Sequence, residues 1–352
     1  MGRRIPLVAA VFTTFGPMKF FSYLKEGLDQ LAILVNDKLY DTDAVHPELP
    51  GNMELFLGVW DEAVELARDA EDTILTTRLP LFKGIDLDQV QILAPVPRPA
   101  SCRDAYAFRQ HVAAARRGRR LDMIAEFDQF PVFYFSNHHG IQGPGDVLCM
   151  PDHLKKLDFE LEVAVVIGRQ GRNIRAAEAD GYIAGYMIMN DLSARQLQAE
   201  EMKLNLGPAK GKDFCTSIGP MLVTPDELEA FLVPAPAGHT GNCYNLRMSC
   251  AVNGKTVSQG NLRDMNWTFA EIIERCSYGT DLLPGDVIGS GTVGTGCFLE
   301  LNGTARLEHP DQEEQWLQVG DEIEMEVEGL GVLWNKIQAE ETDYSILALK
   351  KS

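Results

Sequence analysis

Acidic and apolar side chains alternate through residues 157–168, whose sequence is LDFELEVAVVIG. A period of two is typical of a β-strand, so Asp158, Glu160 and Glu162 project from one face. The same face continues into Ala164, which belongs in a hydrophobic core. The strand therefore leads carboxylates towards the interior, where two of them about 4 Å apart repel by roughly 4 kcal/mol at an effective dielectric of 20.

Two interpretations of this acidic face remain open on the segment alone. Magnesium, manganese and calcium ions prefer oxygen ligands, and one such cation would relieve the repulsion between the carboxylates. Alternatively, the segment is an edge strand whose acidic face lies in solvent. The first interpretation predicts a metal centre, and the second predicts no site.

The length and charge of the chain limit what the protein can be. Its 352 residues leave room for one large domain and one small one. The formal net charge of −19 argues against nucleic acid as a partner. No apolar run approaches the roughly 20 residues of a membrane span, so no membrane partner is expected. Seven scattered cysteines without a C-x-x-C pair indicate free thiols in a reducing compartment, and we predict a cytoplasmic protein.

Changes in composition divide the chain into three parts. Residues 1–17 are predicted to be an N-terminal extension, and residues 18–95 a small domain of short strands with an amphipathic helix over 61–72. The proline-rich sequence LAPVPRPA at 93–100 is expected to be extended and marks the boundary. Residues 96–352 contain mostly strands, so the chain is predicted to be a β-rich α+β protein.

An aspartate and a histidine lie seven residues apart near the start of the large domain. A helix predicted over 104–117 would put Asp104 and His111 on one face, two turns apart. His111 is a candidate general base because its unperturbed pKa of about 6.5 suits neutral pH, although a lone histidine is often structural. The basic run that follows, which includes Arg116 and Arg120, either meets an anionic substrate or is a solvated helix end.

Three further segments place charged side chains at strand ends or beside glycines. An apolar strand runs into Asp191, which either caps the next helix or contributes to a ligand site. Lys212, in the loop GPAKGKDF, either neutralises an anion or lies in solvent. Glu300 falls in a strand predicted over 297–301, where a buried, partnered carboxylate is expected. The glycine-rich run before it precedes this predicted strand and not a helix, which argues against a phosphate-binding loop.

In this order, these segments resemble the fumarylacetoacetate hydrolase family. The joint pattern is D-x-E-x-E, GY-x3-ND-x-S-A-R-x2-Q, G-x-K-x-F, SGT and LEL, and the resemblance covers residues 95–335. It implies a mixed β-roll or sandwich, usually a homodimer, with the N-terminal region as a small accessory domain. It also implies a bound Mg²⁺ or Ca²⁺ ion, or Mn²⁺, and a small anionic oxo acid as the substrate.

The resemblance also implies roles for individual residues. His111 matches the base that activates water, and Glu300 matches the acid that orients it. The matches to the four carboxylates that hold the metal ion are Asp104, Glu160, Glu162 and Asp191. The matches to polar groups around the substrate and the departing carbanion are Arg195, Gln198 and Lys212. The matches to substrate-contacting residues are Tyr106, Tyr134, Thr292 and Arg120, the last in competition with Arg116.

The predicted activity is hydrolysis of a carbon–carbon bond in a β-diketo acid, either fumarylacetoacetate or a related acylpyruvate, in aromatic amino acid catabolism. Alternatives on the same scaffold are a decarboxylase, a hydratase or an isomerase of a 2-oxo acid. A more distant alternative is a non-catalytic protein that binds a divalent metal. Met202 replaces a tyrosine of the family and Ala105 replaces an aromatic residue, so the acyl group of the substrate stays open.

Overall fold

The computed structural model describes residues 18–76 and 82–351, so the predicted extension at 1–17 lies outside the described residues. Strands dominate the described chain. Those of three or more residues are, in chain order, β1 Lys19–Lys25, β2 Leu28–Val35, β3 Lys38–Asp41, β4 Cys102–Ala105, β5 Phe133–Ser136, β6 Gly145–Cys149, β7 Leu161–Ile167, β8 Ile183–Asp191, β9 Thr216–Val223, β10 Arg247–Val252, β11 Lys255–Asn261, β12 Val287–Gly289, β13 Glu322–Val327 and β14 Gly331–Ala339.

The α-helices of the described residues are fewer and mostly short. The predicted amphipathic helix is α3, which buries Ala63, Val64 and Ala67 on one side. In chain order the helices are α1 Thr42–Val45, α2 Met53–Gly58, α3 Trp60–Thr76, α4 Arg109–Gly118, α5 Ala176–Ala179, α6 Arg195–Glu201, α7 Phe269–Ser277 and α8 Phe298–Glu308.

The large sheet joins the N-terminal strands to the rest of the chain. Its strand order is β3-β2-β1-β9-β8-β7-β12-β4-β5, and only β12 and β4 of this order are parallel neighbours. Lys19 of β1 pairs with Val223 of β9. The sheet thus contains strands from before and after residue 95. The division into two domains at that residue stays a prediction.

A second sheet, with the order β11-β10-β13-β14-β6, contacts the first. Asn335 of β14 links the two sheets, since its amide donates to the Ser217 hydroxyl at 3.0 Å and accepts from Asn190 at 3.2 Å. Apolar side chains of both sheets form one core, and the helices α2 and α3 pack with the other face of the large sheet in a second core. The prediction of a strand-rich α+β fold is confirmed.

The acidic segment lies inside this arrangement and not at an edge. β7 has β8 on one side and β12 on the other. Both Ala164 and Val166, on the face shared with Glu162, are fully buried. The predicted strand is interrupted, however, because 157–158 pair separately with Ser193–Ala194 and β7 starts only at Leu161. The solvent-facing interpretation of the segment is therefore wrong.

The prediction that Asp104 and His111 share a helix face is wrong. Asp104 lies in β4, where it pairs with Gly289 on one side and Tyr134 on the other. Helix α4 begins only at Arg109, so His111 stands in its first turn. Strand pairing across the chain overrides the local pattern, which is why propensity alone misplaced the aspartate.

Glu300 also lies in a helix, α8, and not in the predicted strand. The carboxylate of Asp158 accepts hydrogen bonds from the backbone amides of Phe298 at 2.7 Å and Leu299 at 3.0 Å. These amides have no acceptor within the helix, so the Asp158 carboxylate pairs with them and stabilises the helix N-terminus. A helix does follow the glycine-rich run, so the predicted strand there is wrong, but the anion at this helix end is the chain's own Asp158.

Candidate metal centre and active site

Four carboxylates converge where neighbouring strands of the large sheet end. Asp104 lies in β4, Glu162 in β7 and Asp191 at the end of β8, while Glu160 stands just before β7. All four residues are buried, with at most 5% of their surface exposed. One oxygen from each lies within 4.8 Å of the others. Asp191 does not cap α6, whose first residue follows Ala194 and has no side-chain cap.

A glycine lets two of these strands bring their carboxylates together. Gly289 of β12 pairs with Ala164 on one side and with Asp104 on the other. A Cβ atom at this position would lie 2.5 Å from an oxygen of Asp104 and 2.8 Å from the sulfur of Met189. Since Cβ contacts below 3.0 Å are essentially never seen, the strand order requires a residue without a side chain here.

The turn after β12 binds the carboxylates through its backbone. The amide of Gly291 donates to Asp104 at 3.1 Å and to Glu162 at 3.0 Å. The hydroxyl of Thr292 donates to Glu162 at 3.2 Å. Thr292 therefore contacts a carboxylate of the cluster as well as lining the cavity described below.

Two buried cations pair with the cluster. The ammonium group of Lys212 lies 2.5 Å from Glu160 and 2.6 Å from Asp191. The guanidinium group of Arg195 lies 2.6 Å from Glu160 and 2.8 Å from Asp158. The four carboxylates of the cluster and Asp158 thus face only two buried cations. Lys212 is buried, so the alternative that it lies in solvent is wrong.

The excess of negative charge shifts the pKa values of the carboxyl groups. Burial, reinforced by Asp191, raises the pKa of Asp104 to about 7. Burial and then Asp104 likewise raise the pKa of Glu162. Burial also acts to raise the pKa of Glu160, but the charges of Arg195 and Lys212 outweigh it and lower that pKa. The site thus favours additional positive charge.

The donor set of this cluster fits a hard divalent cation. All four groups are carboxylates, and such ions bind oxygen ligands. The structure brings together the four residues that the sequence predicted as ligands, and their binding of a metal ion stays a prediction: Asp104, Glu160, Glu162 and Asp191.

A histidine and a glutamate form a hydrogen-bonded pair beside the cluster. Nδ1 of His111 lies 2.7 Å from a carboxylate oxygen of Glu300, and both side chains are buried. Because the carboxylate accepts, Nδ1 carries the proton and Nε2 is left as the acceptor. A ring nitrogen of His111 lies within 4.8 Å of an oxygen of Glu160. The pair and the carboxylate cluster are therefore neighbours.

Two glycines set the approach of the helices that carry this pair. Helix α4 carries His111 and α8 carries Glu300, and the helices contact each other at Gly118 and Gly303. A Cβ atom on Gly118 would lie 3.3 Å from the Cα atom of Gly303, which is tighter than most Cβ contacts. Small residues at the crossing therefore allow the imidazole and the carboxylate to meet.

A cavity of about 830 Å³ opens over both groups. Tyr106 lines it, with its ring centroid 5.8 Å from that of His111. Tyr134, which stands opposite Asp104 on β5, also lines it and donates from its hydroxyl to Asp191 at 2.5 Å. Its lining further includes the predicted residues His111, Lys212, Gln198, Arg195 and Thr292.

One predicted substrate residue is not brought to the cavity. Arg120 is exposed at the end of α4 and is absent from the cavity lining, as is Arg116. Arg119 and Arg306 line the cavity instead. Counting along α4 from His111 by helical turns would have selected position 119, eight residues later, over position 120.

The family of the chain is evident from its matches to known proteins. The family model for the C-terminal part of fumarylacetoacetate (FAA) hydrolase matches residues 101–338. The rat protein named oxaloacetate tautomerase Fahd2a, mitochondrial, is 31% identical over 300 residues, which are 84% of this chain and 83% of that protein. The chain therefore belongs to the fumarylacetoacetate hydrolase family.

Solved structures share the fold over nearly the whole chain. A fumarylacetoacetate hydrolase from Exiguobacterium antarcticum has a TM-score of 0.64 and 25% identity, covering 92% of this chain and 100% of that one. A maleylpyruvate hydrolase from Sphingobium, solved with manganese(II) and pyruvate, has a TM-score of 0.66 and 19% identity over the same shares.

Among the described residues, no helix is both long and apolar enough to span a membrane.

Proposed function

We propose that this protein hydrolyses a carbon–carbon bond in a β-diketo acid, either fumarylacetoacetate or a related acylpyruvate, with the help of a divalent metal ion. The observation that carries the proposal is the His111–Glu300 pair at 2.7 Å, adjoining the carboxylate cluster in one cavity. A site that only binds a metal has no use for a buried proton acceptor beside its ligands, which disfavours a non-catalytic role.

Four residues would hold the metal ion, which is Mg²⁺ or Ca²⁺ in this proposal, with Mn²⁺ as a substitute: Asp104, Glu160, Glu162 and Asp191. When bound, such an ion supplies a Lewis acid that polarises an oxo group of the substrate. The substrate is a small anionic oxo acid.

The histidine pair prepares the attacking water. Nε2 of His111 accepts a proton from water, while Glu300 holds the ring through Nδ1 and stabilises the imidazolium that forms. Burial of both side chains keeps this geometry fixed. The activated oxygen then forms a bond to the carbonyl carbon. When the resulting oxyanion collapses, the adjacent carbon–carbon bond breaks, its electron pair leaves with the departing carbon, and that carbon takes the proton back from the His111 imidazolium.

The cations and the amide beside the cluster stabilise the negative charge that develops. In this proposal Lys212 and Gln198, which both line the cavity, donate to the tetrahedral oxyanion and to the departing carbanion. The Arg195 guanidinium donates a hydrogen bond to the side-chain carbonyl of Gln198 at 3.0 Å, so the amide nitrogen of Gln198 points away from Arg195. Removal of one oxyanion donor typically costs about 3–4 kcal/mol in the barrier.

The test is turnover of acylpyruvates and fumarylacetoacetate, followed as loss of enol absorbance with added Mg²⁺. We expect two acid products, one of which contains one oxygen from labelled water. The His111→Ala variant should lose turnover and keep its affinity for the ion, because His111 is not one of the four proposed ligands. Full activity of that variant would exclude His111 as the base.

A second candidate activity is keto–enol isomerisation of a 2-oxo acid. The 31% identity to a protein named oxaloacetate tautomerase favours it, and a histidine base is equally able to move a proton between carbon and oxygen. Product analysis separates the two activities, since isomerisation incorporates no solvent oxygen and leaves the carbon chain whole. The homodimer and the cytoplasmic location stay predictions.

A further inference from the structure

The loop that carries Lys212 returns to the helix that precedes it in the chain. After α6 the backbone turns at Asn205 and Gly207, whose φ angles are 56° and 111°. The carbonyl of Gly211 then accepts a hydrogen bond at 2.8 Å from the amide of Ala194, which stands just before α6. The backbone directly before Lys212 is therefore tied to the start of this helix.

A glycine allows the loop to lie against α6. A Cβ atom on Gly211 would lie 2.6 Å from the Cβ atom of Gln198 and 2.7 Å from its backbone nitrogen. Contacts this short are essentially never seen for real Cβ atoms, so the close approach requires a residue without a side chain. Gln198 and Lys212, which both line the cavity, thus lie on backbone segments that contact each other.

The last residue of α6 binds this loop through its side chain. The Glu201 carboxylate accepts hydrogen bonds from three consecutive backbone amides. The donors are Ala209 at 2.9 Å, Lys210 at 2.7 Å and Gly211 at 3.2 Å. Amides that converge on one anion form charge-assisted hydrogen bonds, which are stronger than neutral ones. The carboxylate therefore fixes the backbone on the N-terminal side of Lys212.

The neighbouring glutamate has different partners and provides a matched control. Glu200 is partly buried at the end of α6, as Glu201 is. Its carboxylate pairs with the side chains of Lys203 at 2.9 Å and Lys350 at 2.8 Å. Both partners lie outside the segment 209–212, so replacing Glu200 removes the same charge from the same helix end and leaves the loop amides paired.

The ion pairs of Lys212 do not by themselves fix its ammonium group. Its two partners, Glu160 and Asp191, are also proposed ligands of the metal ion. A bound ion would share these carboxylates with the lysine and weaken its hold on them. The position of the ammonium group then depends more on the backbone of Lys212, where small displacements are costly for catalysis.

We propose that Glu201 is a positioning residue, which holds the ammonium group of Lys212 where it stabilises the oxyanion and the departing carbanion. This role rests on the proposed function, in which Lys212 is that donor. Glu201 is absent from the cavity lining, so it acts through the loop and not on the substrate.

The first test is a double-mutant cycle on kcat for an acylpyruvate with saturating Mg²⁺. Glu201→Ala should lower kcat about 10–100-fold at a nearly unchanged KM, because a misplaced donor is missed mainly in the transition state. In a Lys212→Ala background the same substitution should change kcat less than about threefold, since the group that it positions is gone. Glu201→Gln, which keeps one acceptor oxygen, should lose less, and the control Glu200→Ala should stay within about twofold of the wild type.

The second test needs no turnover. It measures the rate at which acetic anhydride acetylates Lys212, by mass spectrometry, with Mg²⁺ present and exposed Lys255 as the internal reference. Lys212 is buried and should react slowly in the wild type. Its rate should rise about tenfold in Glu201→Ala, the effect of losing one hydrogen bond to a charged group. In Glu200→Ala the rate should not change.

Four results would overturn the positioning role. They are a kcat of Glu201→Ala within about twofold of the wild type, an equal loss in the Lys212→Ala background, an equal loss in Glu200→Ala, and unchanged acetylation of Lys212 in Glu201→Ala. Should Glu201→Ala fail to fold, Glu201→Gln replaces it in both tests. A wild type that cleaves no acylpyruvate removes the proposed function, and the acetylation rates then decide alone whether Glu201 fixes Lys212.

Discussion

The two sides of the catalytic cavity are built from different elements, and they fix their side chains by different means. On the strand side, hydrogen-bonded register and a glycine at position 289 force Asp104 and Glu162 close together against their repulsion. On the helix side, His111 and Glu300 meet because α4 and α8 cross at two glycines. The strand side therefore holds carboxylates that repel one another, and a bound cation would relieve that repulsion, whereas the helix side joins a hydrogen-bonded pair.

Neutralising a carboxylate on the strand side should have the largest effect on ion binding, and it tests whether the two sides of the cavity differ as described. Glu162→Gln should weaken ion binding by more than about a hundredfold, because the loss of a ligand exceeds the 10–100-fold typical of its outer partners. Without ions, the same variant should melt at a higher temperature than the wild type, since folding either buries the charge of Glu162 or requires it to take up a proton, and glutamine does neither. Melting curves with EDTA and with Mg²⁺ check this; the same sign of change in both would contradict the account.

Replacing one glycine on each side should show that the strands position the ion ligands and the helices position the histidine pair independently. Gly289→Ala should lower ion affinity about 10–100-fold by displacing Asp104. Gly118→Ala should lower kcat about tenfold by widening the helix crossing, with ion affinity unchanged, since it contacts no carboxylate of the cluster. Calorimetry and steady-state kinetics on both variants measure the two effects. Loss of ion affinity in Gly118→Ala would mean that the two sides are not independent.

The smallest predicted effect concerns His153, which lies outside the cavity and serves as a control for the effect of pH on stability. His153 stacks on Phe214, its Nδ1 accepts from the Met150 amide at 3.2 Å, and burial followed by the charge of Lys210 lowers its pKa to about 4. The unfolded chain therefore binds the proton first, and stability falls as the pH drops from about 6.5 to about 4. His153→Gln should flatten this part of the curve of melting temperature against pH. An unchanged slope would assign the loss to other groups.

The same comparison explains which features the sequence could predict. Period-two alternation identified the strand of Glu162, although this strand starts only after Glu160, because the alternation follows directly from the geometry of a strand. The strand of Asp104 and the helix of Glu300 were missed because both depend on distant partners: Gly289 for the aspartate, and Asp158, which lies 140 residues before the amide it caps, for the helix.

Three cationic residues that line the cavity, Arg119, Arg306 and Lys203, were missed for a different reason. Arg306 and Lys203 lie in segments where charged side chains are normally solvated, and only the folded chain shows that they line the cavity. Helical spacing from His111 was the one available signal for Arg119, and the incorrect start of the predicted helix obscured it.

The most direct test of the central claim, that the buried carboxylates hold one divalent cation needed for catalysis, is titration of Mg²⁺ or Mn²⁺ into EDTA-treated protein while activity and melting temperature are followed. The account predicts one ion per chain, a rise in melting temperature, and activity that is lost with EDTA and restored by the ion. EDTA-treated protein with full activity and an unchanged melting temperature would contradict it.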